Sequence, residues 1–101
     1  LFFHILYTSM PKDRYEVLPE FNLPNGTVDI MFKTLPNAKV RAEFEVLLEI
    51  KRVPKSASNE IFEAKFQETI KQVNSYKTGE YKDFTALAVC FRGNKDYKIN
   101  Y

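Results

Sequence analysis

Cysteine and histidine each occur once in this chain of 101 residues, and glycine three times. The lone thiol, Cys90, can form no disulfide within the chain, which points to a reducing compartment or to indifference about redox state. It sits in the apolar run TALAVCF, where a free cysteine behaves as a small buried hydrophobe. One histidine and no Cys/His spacing exclude a zinc-site pattern and leave little material for triad catalysis. No Gly-x-x-x-x-Gly-Lys loop is present to cradle a nucleotide's phosphates. Long apolar runs are missing too: LFFHIL at the start follows no basic region and is too short to cross a bilayer, so no membrane partner and a cytoplasmic location are expected. The sequence does not begin with methionine, as expected of a fragment of a longer chain. Charge of one sign is also lacking. Lys and Arg number 15 against 13 Asp and Glu, a net +2 that permits a nucleic-acid partner without arguing for one.

What is there suits one folded domain: 45% hydrophobic, 15% aromatic and 28% charged residues. Phe2, Ile5 and Leu6 recur at helical spacing over Leu1 to about Ser9, and Pro11 ends that helix. RYEVLPEF reads as a first strand whose Pro19 places it at an edge or a bend. LPNG turns the chain into a second strand, TVDIMF, with Val28, Ile30 and Phe32 on one face and Asp29 and Met31 on the other. After the turn LPNAK, a third strand runs from roughly Glu43 to Val53 and stops at Pro54. From Ser58 or Asn59 the period changes to that of a helix, with Glu60 and Glu63 in its first turn and Phe62, Phe66, Ile70 and Val73 as its buried stripe. It is expected to end near Lys77, capped by Gly79. DFTALAVCF is a continuous apolar strand, covered on both faces, and YKINY a short edge strand paired back on it.

One stretch stands out chemically. In EVLLEIKRV, Glu45 to Val53, alternation puts Val46, Leu48 and Ile50 on one face and Leu47, Glu49, Lys51 and Val53 on the other. Two opposite charges thus share a face of a strand that is otherwise apolar. They form either a solvated ion pair or a site. With an acid on the preceding strand, Asp29, they make the minimal equipment for metal-assisted phosphodiester hydrolysis. Hard carboxylate oxygens hold a divalent cation, and a neighbouring ammonium orients water and offsets charge on the phosphate.

In these features the sequence resembles the PD-(D/E)XK nuclease superfamily. GTVD (Gly26 to Asp29) stands for the turn and its aspartate, and EIK (Glu49 to Lys51) for the signature. QVNSY matches the Gln-x-x-x-Tyr motif of the RecB-like branch at Gln72 and Tyr76, and His4 falls where that branch carries a histidine in its first helix. Within the superfamily the chain looks most like the nuclease-like domain at the C-terminus of certain AAA-type ATPases. It departs from them in carrying Thr27 after the glycine, where they commonly have arginine, and in a longer span from Asp29 to Glu49.

The resemblance implies an α/β domain, a mixed four- or five-stranded sheet flanked by helices in the order α-β-β-β-α-β. It implies a magnesium- or manganese-dependent nuclease acting on nucleic acid, with DNA the expected substrate and an ATPase domain in the same longer chain. Asp29, Glu49 and Lys51 are its expected catalytic residues, and Asp29, Glu49 and His4 its metal ligands. Gln72 and Tyr76 either complete the core at a helix edge or support Lys51 and the phosphate, and Glu20 is a further candidate for the cleft. Lys51, Arg52, Lys55, Lys65, Lys71 and Lys77 form either a solvated surface or a track for nucleic acid. The competing expectation is a catalytically silent nucleic-acid-binding or interaction module of a larger ATPase.

Overall fold

Residues 15–34 and 45–101 are described in the computed structural model. Five strands and one α-helix follow in the order β1 (Tyr15–Leu23), β2 (Gly26–Thr34), β3 (Val46–Val53), α1 (Asn59–Ser75), β4 (Thr85–Arg92) and β5 (Asp96–Asn100), with a short 3-10 turn at Gly79–Tyr81. The strands lie side by side in chain order. Pairing is antiparallel except between β3 and β4, which run parallel because α1 carries the chain back across the sheet. The domain is therefore α/β with a mixed five-stranded sheet. Sheet flanking by more than one helix is not seen among the described residues, where α1 is the single α-helix and lies on one face. The expected first helix over Leu1 to Ser9, His4 within it, the turn LPNAK and the start of the third strand at Glu43 lie outside the described residues.

Local chemistry explains the helix ends. Ser58 takes an extended conformation and its hydroxyl accepts the Ile61 N–H, capping α1 one residue before Asn59. At the other end α1 stops at Ser75, before the expected Lys77. Gly79 does adopt a left-handed φ of 57°, but it opens the 3-10 turn instead of capping the helix. The buried stripe is also shifted: Phe62, Thr69 and Val73 are buried, while Phe66 and Ile70 are half-buried. Thr69 is tolerated there because its hydroxyl donates to the Lys65 carbonyl one turn back.

The helix-side face of the sheet gathers two clusters. Val28, Met31, Leu47, Ala86 and Ala88 pack with Val73, Tyr76, Tyr81 and Phe84. Val53 and Cys90 pack with Phe62. Cys90 is fully buried and burial pushes its thiol pKa up, so it is held as an unreactive hydrophobe. The opposite face carries Ile30, Phe32, Leu48 and Val89.

One expectation fails in β2. Val28 packs with Met31 and not with Ile30 and Phe32. The cause lies in the β1–β2 ladder, which pairs Pro19 with Ile30 and Phe21 with Val28 but skips the rung between them. Glu20, at that rung, has φ of 50°, a conformation costly for a residue with a Cβ. Face alternation slips there, so that Phe21, Leu23 and Val28 all turn toward the helix-side cluster. Pro19 thus marks both an edge strand and a bend.

The slipped hairpin tip docks on the C-terminal end of α1. Asn25 Nδ2 donates to the Ser75 carbonyl at 2.9 Å, and the Tyr76 hydroxyl donates to the Thr27 carbonyl at 3.2 Å. Gly26 lies against the Tyr76 ring at φ of 141°, where an added Cβ would come 3.2 Å from Cε1. A Gly26→Ala substitution meets both a forbidden backbone angle and a ring that cannot recede from the core. It is expected to lower stability by about 1–3 kcal/mol, as measured by urea unfolding, and a wild-type midpoint in that variant would refute this account of the tip.

Candidate metal and phosphate site at the β2–β3 fork

Strands β2 and β3 pair through three rungs, Ile30 with Leu48, Met31 with Leu47 and Phe32 with Val46. Beyond the first of these the strands part, and at the next rung, Asp29 against Glu49, side chains take over from the backbone. The Asp29 N–H donates to Glu49 Oε1 at 3.0 Å, and the Ile50 N–H donates to Asp29 Oδ2 at 2.7 Å. Each carboxylate thus occupies the place of a ladder carbonyl on the opposite strand. The other end of the seam is braced the same way, since the Thr34 N–H donates to Glu45 Oε2 at 3.0 Å.

These bonds use one oxygen of each carboxylate at the fork. The leftover pair is Asp29 Oδ1 and Glu49 Oε2, and the Lys51 ammonium stands 3.6 Å from the latter. Glu49 is 1% exposed, an unusual burial for a carboxylate, whereas Asp29 and Lys51 are half-buried. Burial, and after it the negative charge of Asp29, push the Glu49 carboxyl above its ordinary pKa. The Asp29 N–H and the Lys51 charge pull the other way without overcoming them. Two carboxylates with one insufficient counter-charge are an arrangement that a cation would relieve.

Asp29, Glu49 and Lys51 are therefore gathered in one place, on the helix side of the sheet. No hydrogen bond among the described residues joins Gln72 or Tyr76 to Lys51. Gln72 Nε2 donates to the Tyr76 hydroxyl at 2.9 Å, and that hydroxyl donates onward to Thr27, two residues before Asp29. Their bonds hold the hairpin that carries Asp29, and Tyr76 also completes the core, at 3% exposed. Glu20 is exposed on the edge strand and bonds to none of the other described candidates. A sequence reader had no signal for the paired carboxylate-to-amide bonds, because they depend on where the strands diverge.

Among the described residues no group of three or more His, Cys, Asp or Glu side chains could hold a metal ion. The donor set is the two carboxylates. That set suits magnesium, which needs one or two carboxylates and otherwise keeps waters and substrate oxygens around it. A cavity of about 310 Å³ lies at the other end of the β2–β3 seam, lined by Lys33, Thr34, Glu45, Glu80, Tyr81 and Phe84, and holds none of these groups. No helix among the described residues is long and apolar enough to cross a membrane. Comparison with protein-family models, characterised proteins and solved structures finds no match.

The Glu49 environment has a signed consequence for stability. A carboxyl whose pKa is raised on folding binds its proton more tightly in the native state, so native stability falls as pH rises from about 4.3 through the raised value. Glu49→Gln keeps the Oε1 acceptor for the Asp29 N–H and removes the charge. Without added metal, this variant should melt above wild type at pH 7, with the gap closing as pH falls toward 4. A gap that is constant with pH, or reversed, would show that the buried charge is not the cause.

Proposed function

We propose that the domain is a metal-dependent nuclease of the PD-(D/E)XK type, RecB-like branch, hydrolysing phosphodiester bonds of nucleic acid, with DNA as the substrate. The observation that carries this reading is the fork itself. An aspartate and a glutamate from adjacent strands abut where the ladder opens, with a lysine two residues on from the glutamate beside it. The same proposal includes the full restriction-endonuclease-like order, α-β-β-β-α-β, in which a first helix would carry His4. An ATPase domain in the same longer chain is part of the same proposal.

Asp29 and Glu49 would hold magnesium or manganese, with His4 as a further ligand. When bound, such an ion polarises a phosphoryl oxygen and lowers the pKa of a coordinated water. The chain's own groups supply the rest. The backbone amides of Asp29 and Ile50 fix the two carboxylates, so their leftover oxygens are preorganised without side-chain entropy to lose. Lys51, anchored by its attraction to Glu49, can donate to a water or to a non-bridging phosphate oxygen as negative charge builds there. Tyr76 and Gln72 act on Asp29 through the hairpin, as positioning residues. The second reading, a catalytically silent nucleic-acid-binding or interaction module of a larger ATPase, is favoured by one observation: the described donor set stops at two carboxylates.

Magnesium or manganese should raise the melting temperature of wild type, since a ligand bound only by the native state must stabilise it. It should leave an Asp29→Asn, Glu49→Gln double variant unmoved. Equal shifts in the two proteins would dismiss the fork as a cation site.

Lys51→Met distinguishes a working nuclease from a silent one. Cleavage of circular and linear DNA in single-turnover assays should fall by a factor of about 100 or more, while metal affinity holds or rises slightly because a nearby positive charge is gone. Undiminished cleavage would return Glu49 and Lys51 to a structural ion pair. No cleavage by wild type with either metal, in a chain that includes His4, would favour the silent module.

A further inference from the structure

The face of the sheet away from α1 carries a second constellation. The β3–β4 and β4–β5 registers set Arg52, Phe91 and Tyr97 in one row across three strands. The Arg52 guanidinium lies over the Phe91 ring at 5.6 Å from its centroid, and the Phe91 and Tyr97 rings are 6.3 Å apart. The neighbouring row ends in Ile99, opposite Val89, and Tyr101 follows two residues further along the edge. Tyr97, Ile99 and Tyr101 are 63%, 48% and 85% exposed, and they are three of the four large apolar side chains left in solvent among the described residues. This exposure is concentrated on one edge.

Its charge is equally one-sided. Edge strands are usually guarded by charged side chains, but the two charges of β5 are engaged elsewhere. Lys98 pairs with Glu63 and lies over Phe62 and Phe66, and Asp96 pairs with Arg92, itself over Phe62. By alternation, Arg52 is the one charged residue that β3, β4 and β5 set on this face, and it has no carboxylate partner among the described residues. A flat guanidinium over one half-buried ring, next to an exposed one and with no carboxylate paired to it among the described residues, suits a ligand that is anionic and presents planar apolar faces. An apolar peptide would leave Arg52 unpaired in the contact. A second copy docked face to face would bring two such cations together.

We propose that this face binds single-stranded nucleic acid, with bases stacked on Tyr97 and Tyr101 and a phosphate held by Arg52. Tyr101 is the residue after the end of β5, and at the rise of an extended strand it would stand about 13 Å from Tyr97, room for two or three unpaired bases, which stack on aromatic rings with little regard to sequence. A duplex hides its base faces and is not a ligand for this surface. The site lies on the opposite side of the sheet from the Asp29–Glu49 fork and shares no residue with it, so it does not rest on the cleavage reading.

Anisotropy of a labelled single strand of about 15 nucleotides, in EDTA so that no divalent cation takes part, tests the proposal. Tyr97→Ala and Tyr101→Ala should each weaken binding roughly tenfold. Tyr97→Phe should bind like wild type, and Arg52→Ala should weaken binding and flatten its salt dependence. The Tyr97→Ala factor should be the same in the Asp29→Asn, Glu49→Gln background, as expected for independent sites, and absent with a matched duplex. The chain has no tryptophan, so its tyrosine emission should be quenched by the single strand, and less so in Tyr97→Ala. Wild-type affinity in both tyrosine variants overturns the proposal. So does a change from dimer to monomer in sedimentation with binding unaltered, which would give the face to a second copy.

Discussion

The helix side of this domain depends on a seam that is too short to hold itself. β2 and β3 share three backbone rungs, few for two strands that must keep a hairpin in register with the centre of a sheet. Carboxylates extend the seam at both ends, Glu45 at one and Asp29 with Glu49 at the other, each accepting an amide of the facing strand. These side-chain oxygens take up amides that the short ladder leaves without a backbone partner, so three rungs suffice. The cost is local. Two negative charges meet beside a buried position, and Lys51 offsets them in part. The same residues that complete the sheet are therefore the ones that leave an unbalanced electrostatic demand, and the proposed chemistry of the fork follows from the architecture of the seam.

Much of this arrangement was legible in the sequence. Glu49 and Lys51 announce themselves as charges inside an apolar strand, and period-two alternation places them together. A cap at Ser58 or Asn59, of which Ser58 serves, β5 as a short edge strand and Cys90 as a buried hydrophobe follow from local rules that tertiary contacts do not override. Other features were not legible, each for a physical reason. The displacement of Val28 to the helix-side cluster comes from the left-handed Glu20 and the missing rung beside it, and backbone angles of that kind are not written in hydrophobic periodicity. Thr69 replaced Phe66 and Ile70 in the fully buried stripe because its hydroxyl found a carbonyl within its own helix. The bonds of Gln72 and Tyr76 were open between core and site, and they run to the Thr27 carbonyl, a link between elements 49 residues apart that no local pattern encodes.

The two faces of the sheet differ in kind. The helix side concentrates buried charge at one fork, while the other face sets exposed rings on its edge strand and one guanidinium on the central strand. That edge is neutral on its own account because its charged residues pair inward with Glu63 and Arg92. A sheet built this way keeps polar chemistry where the strands diverge and flat apolar surface where they end.

Gly26 and Tyr76 form a lock between hairpin and helix in which the dependence runs one way. The glycine is required twice over, by a φ of 141° that suits no residue with a Cβ and by the ring that stands 3.2 Å from where that Cβ would be, and the ring reaches the Thr27 carbonyl because nothing on Gly26 stands in its way. Shrinking the ring would open space without easing the backbone angle. A turn of this shape should therefore keep its glycine whatever occupies the helix end, while the tyrosine can keep its bond only as long as the glycine stays.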